Sequence, residues 1–188
     1  MKTNTKFLQV LFIATINLLA LGMFSQTGTW AQKTDFAATA RYGASSFSIG
    51  NKGYIVTGLD SSVYKKDLWE YDQTTDTWTQ KTSFPGAARS SACAFTIGTK
   101  AYLAAGTPDA GSTFFKDLWE WDQTTDTWTQ KTSLPGAARR NPVAFSIGTK
   151  GYLGLGSSSS GNISDFWEWN QSTDTWTQKS NYPGTGLY

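Results

Sequence analysis

Three arginines with a common spacing are the residues of this chain best suited to bind an anion. Arg41, Arg89 and Arg139 each follow the tryptophan of a repeated phrase by eleven residues. A guanidinium presents a rigid fork of N–H donors that matches a carboxylate or a phosphate. If the repeats close into a ring, the three arginines converge near its central opening and predict an anion-binding mouth. The alternative is that each arginine pairs with backbone carbonyls or a neighbouring acid and fixes the connection between repeats. Arg140, which has no counterpart in the other repeats, is interpreted as surface charge.

Residues that catalysis uses are scarce. The chain contains no histidine, which excludes Ser-His-Asp and Cys-His arrangements and most transition-metal sites. The acids recur with the repeats and are expected to serve the scaffold, and the Asp-x-x-x-Asp runs lack the third ligand and the glycine of a calcium loop. These acids are Glu70, Glu120 and Glu168 and the pairs Asp72/Asp76 and Asp122/Asp126. The sequence predicts a protein that is not an enzyme and that needs no cofactor and no metal.

The net charge and the single cysteine give no support to nucleic-acid binding or to thiol chemistry. Without residues 1–26, which hold two lysines and no acid, 14 basic side chains face 14 acidic ones. A neutral chain has no general attraction to nucleic acid, so no nucleic-acid partner is expected. The single cysteine, Cys93, lies in an apolar run. It is interpreted as a small core hydrophobe and not as a reactive thiol.

Residues 1–26 resemble a secretory signal peptide. Lys2 and Lys6 precede an apolar stretch at 7–24, as in the basic and apolar regions of such signals. The alternative is a membrane anchor, but the stretch lacks 18 uninterrupted apolar residues and has no basic stop-transfer flank. We therefore expect a secreted or cell-surface protein that has no membrane span once the signal is removed.

The elements that must position these residues are long repeats. Trp30, Trp78, Trp128 and Trp176 stand in the same phrase and are spaced 48, 50 and 48 residues apart. Each repeat contains four strand-like pieces, and helix signals are few, so the fold class is all-β. Aromatic side chains alternate with acids in the third piece. We expect these aromatic residues to pack between neighbouring sheets.

Three features of the repeats resemble the kelch repeat, which forms one four-stranded blade of a β-propeller. A glycine ends the second piece, an aromatic residue ends the third, and a tryptophan follows seven residues later. They are Gly58, Gly106 and Gly156; Tyr71, Trp121 and Trp169; and Trp78, Trp128 and Trp176. The resemblance covers residues 29–188 and implies a secreted, bacterial-type kelch protein with a propeller like the central domain of galactose oxidase. Kelch repeats usually carry a Gly-Gly pair after strand two, whereas only the second glycine is kept here.

The resemblance also bears on function. In kelch propellers, arginines at similar positions can line a binding mouth, which adds to the interpretation of Arg41, Arg89 and Arg139. Some copper oxidases are similar to kelch propellers, but they need His and Tyr ligands and a Cys-linked Tyr. This chain does not supply that set.

The predicted fold is a partial kelch-type β-propeller with three four-stranded antiparallel blades and one extra outer strand. The predicted boundaries within an incomplete propeller at 27–188 are an extra strand at 29–34, blades at about 43–82, 91–132 and 141–180, and a truncated inter-blade connection at 181–188. Closed propellers have about 4–8 blades, so three blades leave an apolar face and two edges open. Two interpretations remain: a fragment whose further blades belong to the same full-length chain, or two copies that complete a six-bladed ring.

All length variation between repeats lies in the loop between the second and third strands. The three loops occupy 59–66, 107–116 and 157–164. Because loops on a rigid scaffold usually carry the binding residues, Tyr64, Phe114 and Phe115 are candidate contact aromatics. The alternative is that these are tolerated surface loops.

The sequence favours a secreted, non-catalytic binding module whose loops take a protein or glycan ligand. Two other functions remain open. The chain could be a segment of a propeller enzyme whose catalytic residues lie in missing blades, or a self-associating structural segment of a surface protein.

Overall fold

The computed structural model describes residues 28–110 and 112–184, and all regular structure in them is β. The predicted all-β class is therefore confirmed. None of the described residues forms a helix that could span a membrane. The predicted signal peptide at 1–26 and the last four residues of the predicted connection at 181–188 lie outside the described residues.

Twelve five-residue strands form three four-stranded antiparallel sheets, and four short strands form two small hairpins. The first sheet contains β1 (Ser45–Ile49), β2 (Lys52–Val56), β5 (Leu68–Asp72) and β6 (Thr77–Lys81), in that order. The second contains β7 (Cys93–Ile97), β8 (Lys100–Ala104), β9 (Leu118–Asp122) and β10 (Thr127–Lys131). The third contains β11 (Val143–Ile147), β12 (Lys150–Gly154), β15 (Phe166–Asn170) and β16 (Thr175–Lys179). The hairpins pair β3 (Leu59–Asp60) with β4 (Val63–Tyr64), and β13 (Ser157–Ser158) with β14 (Gly161–Asn162).

Each sheet lies within one predicted blade range, but the predicted extra strand does not form. Residues 28–36 contain no strand, and Trp30 is fully exposed. A strand needs a neighbouring backbone to hydrogen-bond with. Each of the three sheets already has four strands taken from residues 45–179, so residues 29–34 complete none of them.

Aromatic side chains pack the sheets against one another, as predicted from the third strand. Trp121 of the second sheet has no exposed surface and lies 5.1 Å from the ring of Tyr54 in the first sheet. Trp169 of the third sheet repeats this contact with Tyr102 of the second, at 4.8 Å. Each such side chain buries about 150–250 Å². The aromatic contacts therefore form the core between sheets.

Polar bonds across the same interfaces use the recurring acids. The Tyr54 hydroxyl donates to Glu70 at 2.7 Å and accepts from Gln123 Nε2 of the second sheet at 2.7 Å. Tyr102 forms the equivalent bonds with Glu120 and with Gln171 of the third sheet. The repeated glutamates thus serve the scaffold.

The tryptophans of the repeated phrase fasten each sheet to the connection that precedes it. Each indole N–H donates to a connection carbonyl. The pairs are Trp78 with Thr34 at 3.3 Å, Trp128 with Thr82 at 2.9 Å and Trp176 with Thr132 at 2.8 Å. The aspartate two residues before each tryptophan accepts the amide N–H of the same connection residue, from Thr34 to Asp76, from Thr82 to Asp126 and from Thr132 to Asp174.

The Asp-x-x-x-Asp runs are hairpin turns, as the sequence favours. Asp72 accepts the amide N–H of Thr74 at 2.8 Å, and Asp76 lies at a φ of 54° and accepts the Tyr71 hydroxyl at 2.6 Å. Both carboxylates are therefore used within the turn and its neighbours. Among the described residues no group of three or more His, Cys, Asp or Glu side chains is placed to hold a metal ion.

The residues that replace the first glycine of the kelch Gly-Gly pair keep the backbone of a glycine. Thr57, Ala105 and Leu155 lie at φ values of 64°, 64° and 61°. L-residues other than glycine adopt this left-handed region at a cost. The turn is thus imposed by its surroundings, and the missing glycines do not change the fold.

One face of the third sheet has no covering sheet among the described residues. Phe145 and Ile147 are 41% and 63% exposed, whereas Phe95 and Ile97 at the same positions of the second sheet are 4% and 7% exposed. Together with Val143, Phe166 and Tyr182, Phe145 lines an apolar cavity of about 300 Å³ on this face. We call this surface, formed by Val143, Phe145, Ile147, Phe166 and Tyr182, the open face.

Candidate functional site

The three repeated arginines are buried in ion pairs. Arg89 donates to both carboxylate oxygens of Asp117 at 2.6 and 2.9 Å, to the Ala105 carbonyl at 2.9 Å and to the Ala87 carbonyl at 3.0 Å. Arg41 forms the same set of bonds with Asp67, Thr57 and Thr39, and Arg139 with Asp165, Leu155 and Ala137. The three arginine side chains are 0–3% exposed.

Aromatic rings close the remaining sides of the Arg89 guanidinium. Its carbon lies 4.7 Å from the ring centre of Phe84 and 4.0 Å from that of Phe115. Because the guanidinium donors bond to protein oxygens and two aromatic rings lie against the group, little of it is left for a ligand. Arg41 is similarly placed, 5.1 Å from the ring of Phe36. The geometry favours the structural alternative for the repeated arginines: each fixes the connection between sheets.

Two of the aspartate partners, Asp67 and Asp165, have a lowered pKa and hold their negative charge to a lower pH than usual. Burial by itself raises the pKa of Asp165, but hydrogen bonds from Arg139 and Trp167 outweigh it and lower that pKa below 3.8. The pKa of Asp67 is lowered in the same way by Arg41 and Trp69, against the opposing effect of burial. The indole N–H groups contribute because each donates to its aspartate, at 2.9 Å for Trp167 and 2.7 Å for Trp69.

These pKa shifts predict the acid sensitivity of the fold. A carboxyl group whose pKa is lower in the folded protein stabilises it above the unfolded pKa, here 3.8. That contribution is lost as the pH falls from this value through the lowered folded pKa. We expect the urea midpoint to decline below about pH 4, and to decline less steeply in Asp165→Asn, which has one titrating pair fewer. Identical slopes for the variant and the wild type between about pH 5 and pH 2 would contradict this role for Asp165.

Cys93 has the inert environment that the sequence suggests. Its side chain is buried in the core between the second and third sheets. Burial raises the pKa of the thiol to about 12, so the thiolate form that reacts is scarce near neutral pH.

A cleft of about 290 Å³ lies between the loops of the first and second repeats. We call it the loop-face cleft. Its lining residues are Tyr42, Leu59, Tyr64, Ser90, Ser91, Thr107, Asp109, Ala110 and Arg140. Two tyrosines and a leucine supply apolar surface, and the remaining side chains supply hydroxyls, one carboxylate and one guanidinium. An aromatic cleft with a few polar groups has the composition of a small binding site.

The cleft is built where the repeats differ. Tyr42, Ser90 and Arg140 occupy equivalent positions, each directly after a repeated arginine. Their backbones form equivalent bridges, from Tyr42 to Leu59, from Ser90 to Thr107 and from Arg140 to Ser157. The backbone at this position is therefore constant, while the side chain changes from phenol to hydroxyl to guanidinium. The repeats share a scaffold and vary the group that it presents.

The predicted contact aromatics fall into two groups. Tyr64 lines the loop-face cleft, and the half-buried Phe114 lies 5.8 Å from the Arg140 guanidinium carbon. These two remain candidate binding residues. Phe115 stacks on Arg89 instead, so the geometry gives it a scaffold role.

Two members of the cleft, Tyr42 and Arg140, were not among the sequence-predicted site residues. Tyr64 belongs to a variable loop, whereas Tyr42 and Arg140 lie outside these loops, and Arg140 is interpreted from the sequence as surface charge because it occurs once. The signal available was the alignment of Tyr42, Ser90 and Arg140 next to an invariant arginine. A residue type that changes from repeat to repeat directly after an unchanged arginine indicates a side chain that the scaffold exposes to a ligand.

The fold and sequence both match known proteins of one type. Residues 40–85 match the Kelch motif. The structure is similar to the solved structure of YjhT, a kelch-type propeller, with a TM-score of 0.71 at 18% sequence identity. The match covers 84% of this chain and 57% of the YjhT chain, so this chain spans little more than half the length of that protein. No curated protein matches the sequence.

The match to the Kelch motif and the similarity to YjhT are both consistent with the sheets described above. Each of the three sheets has its four long strands side by side in chain order, and aromatic interfaces join the first sheet to the second and the second to the third. The chain therefore carries a kelch motif at 40–85, and its three four-stranded sheets have the fold of blades in a kelch-type β-propeller.

Proposed function

We propose that the protein is a secreted, non-catalytic binding module that takes a protein or glycan ligand in the loop-face cleft. The kelch-type propeller fold supports a binding or interaction role in general. Secretion rests on the signal-like sequence of residues 1–26, and the absence of catalysis rests on the lack of histidine and on the structural use of the repeated acids.

The proposal rests on one observation: several side chains that vary between repeats, among them Tyr42, Tyr64 and Arg140, line one cleft, whereas the repeated arginines and glutamates are bonded inside the scaffold. Tyr42 is 65% exposed on the rim of that cleft, and Tyr64 lies in its wall. Aromatic side chains at such positions dominate the energetics of many interfaces. The buried arginines, in contrast, are closed off by their own aspartates.

The proposal is tested by binding of the purified protein to arrays of immobilised peptides and glycans. Any probe that the wild type binds should lose more than about tenfold in affinity with Tyr64→Ser, because a central aromatic contact is removed. Val63→Ser is the matched control, since Val63 is 54% exposed on the same hairpin but does not line the cleft. Equal affinities of the wild type and Tyr64→Ser for every bound probe would place the binding surface elsewhere.

A second candidate function, assembly with further sheets, is favoured by the open face. Phe95 contacts the third sheet so closely that a Cβ on Gly151 would lie 2.3 Å from its ring. Phe145 occupies the position of Phe95 on the third sheet. The open face can therefore be covered by another sheet of the same repeat type that places a glycine or an alanine opposite the Phe145 ring. We propose that the occupant is a further blade of a longer chain and not a second copy of this one.

Phe36 is the residue that disfavours a second copy. It lies 5.9 Å from Trp69 and 5.0 Å from Trp78, as Phe84 lies 5.5 Å from Trp119 and 5.2 Å from Trp128. Tyr182 is the equivalent connection residue after the third sheet. In a ring of two copies, Tyr182 would need the place on the first sheet that Phe36 already fills.

Light scattering of the purified chain over a range of concentrations distinguishes these occupants. A monomer at all concentrations is the result expected for a further blade of a longer chain. A dimer that is lost in Phe145→Asp would instead assign the open face to a second copy.

A further inference from the structure

We propose that Arg140 is an anion-binding residue of the loop-face cleft and that it takes the carboxylate of an acidic residue in an extended peptide. The inference deepens the proposed function and rests on it. It starts from the contrast between two neighbouring arginines. Arg139 pairs with Asp165, but no carboxylate among the described residues lies within ion-pair distance of Arg140. Its Nε atom is buried and has no hydrogen-bond partner.

A buried donor without a partner is unusual in a folded protein, and it marks a group that a ligand can satisfy. The position of Arg140 is well fixed. Its backbone exchanges two hydrogen bonds with Ser157, at 2.9 and 3.0 Å, and its guanidinium carbon lies 5.8 Å from the ring of Phe114. An anion therefore meets a guanidinium whose backbone is anchored and whose side chain lies within cation–π distance of Phe114.

The other polar groups of the cleft are largely engaged within one loop. Asp109 accepts the amide N–H groups of Ser112 at 2.8 Å and Thr113 at 3.1 Å. The Thr107 hydroxyl donates to the Thr113 carbonyl at 2.7 Å. Asp109 and Thr107 thus both form hydrogen bonds within their own loop. Arg140 is the one guanidinium that lines the cleft.

The walls indicate the kind of molecule that carries the anion. Tyr42, Leu59 and Tyr64 give apolar surface beside the guanidinium. A saccharide needs several partners for its hydroxyls, whereas an acidic residue flanked by apolar residues needs one forked donor and apolar walls. An acidic segment of a peptide is therefore the chemistry that fits best, and an acidic polysaccharide is the competing source of a carboxylate.

The test is an NMR titration of the ¹⁵N-labelled protein with three probes. They are an acetylated, amidated Ala-Phe-Glu-Phe-Ala peptide, the same peptide with Gln in place of Glu, and an oligosaccharide of galacturonate. We expect the glutamate peptide to shift the Arg140 Nε–Hε signal and to bind at least about tenfold more tightly than the glutamine peptide, since one charge-assisted bond is lost with the latter.

Two variants complete the design. Arg140→Gln should remove the preference for the glutamate peptide, and Lys116→Gln, which removes an exposed positive charge outside the cleft lining, should keep it. Equal binding of the two peptides by the wild type would overturn the proposal whether or not the variant folds. Tighter binding of the galacturonate oligosaccharide than of the glutamate peptide would overturn the assignment to a peptide. Loss of array binding in Tyr64→Ser together with unchanged binding in Arg140→Gln would overturn the role of Arg140 and leave the proposed function intact.

Discussion

Trp121→Ala is expected to lower the free energy of unfolding by about 3–5 kcal/mol. The indole has no exposed surface and lies between the first and second sheets, 5.1 Å from Tyr54 and 6.1 Å from Phe47. Its N–H also donates to Asp126 at 3.0 Å. Truncation removes these contacts and leaves a cavity that two rigid sheets cannot close. Urea denaturation followed by circular dichroism measures the loss.

Tyr71 provides a matched control for this prediction, because it occupies the position of Trp121 on the first sheet. It is only half-buried, and no other sheet among the described residues covers it; its ring contacts Trp78 of its own sheet at 5.1 Å. Tyr71→Ala should therefore cost much less than Trp121→Ala. If the two substitutions destabilise the protein equally, packing between sheets is not what the tryptophan contributes.

Arg89→Ala is the second substitution with a large expected effect. Removing one partner of a buried ion pair leaves the other charge without compensation, which costs about 3–5 kcal/mol. Here the loss includes two bonds to Asp117, bonds to two carbonyls, and the stacking on Phe84 and Phe115. Among the described side chains, Asp117 then keeps one hydrogen-bond donor, the Trp119 indole at 2.8 Å.

A double-mutant cycle separates the ion pair from the stacking. Asp117→Asn in the Arg89→Ala background should add little destabilisation, because the partner charge is already gone. Strictly additive effects of the two substitutions would show that the pair is not coupled. Circular dichroism of each variant at low urea establishes that the cycle compares folded proteins.

Much of this scaffold could be predicted from the sequence, because the residues that form each contact occur at the same position in several repeats. The tryptophan phrase, the four strands per repeat and the aromatic interfaces all follow from residues that recur in phase. The prediction of an extra strand at 29–34 is wrong for a physical reason. The sequence of this segment matches that of a fourth strand, but a strand forms only beside a partner strand, and a local sequence pattern does not show whether such a partner is available.

The candidate binding site is only partly predictable: the variable loops single out Tyr64, whereas Tyr42 and Arg140 join it through the placement of the repeats in space. Arg41, Arg89 and Arg139 stood out, yet the structure gives each of them an aspartate partner. Asp67, Asp117 and Asp165 follow their arginines by 26, 28 and 26 residues. That regular pairing was visible in the sequence as a structural signal. Arg140 could not be distinguished from surface charge without knowing that its Nε atom is buried.

We infer a division of labour between residues that repeat, which hold the scaffold, and residues that vary, which are presented to a ligand. Arg139 and Arg140 test it most directly, because they are adjacent and identical in type but belong to the two different groups. The measurement is the urea midpoint of Arg139→Gln and of Arg140→Gln. We predict a large fall for Arg139→Gln and a midpoint close to that of the wild type for Arg140→Gln. Equal losses in the two variants, or a greater loss for Arg140→Gln, would contradict the division.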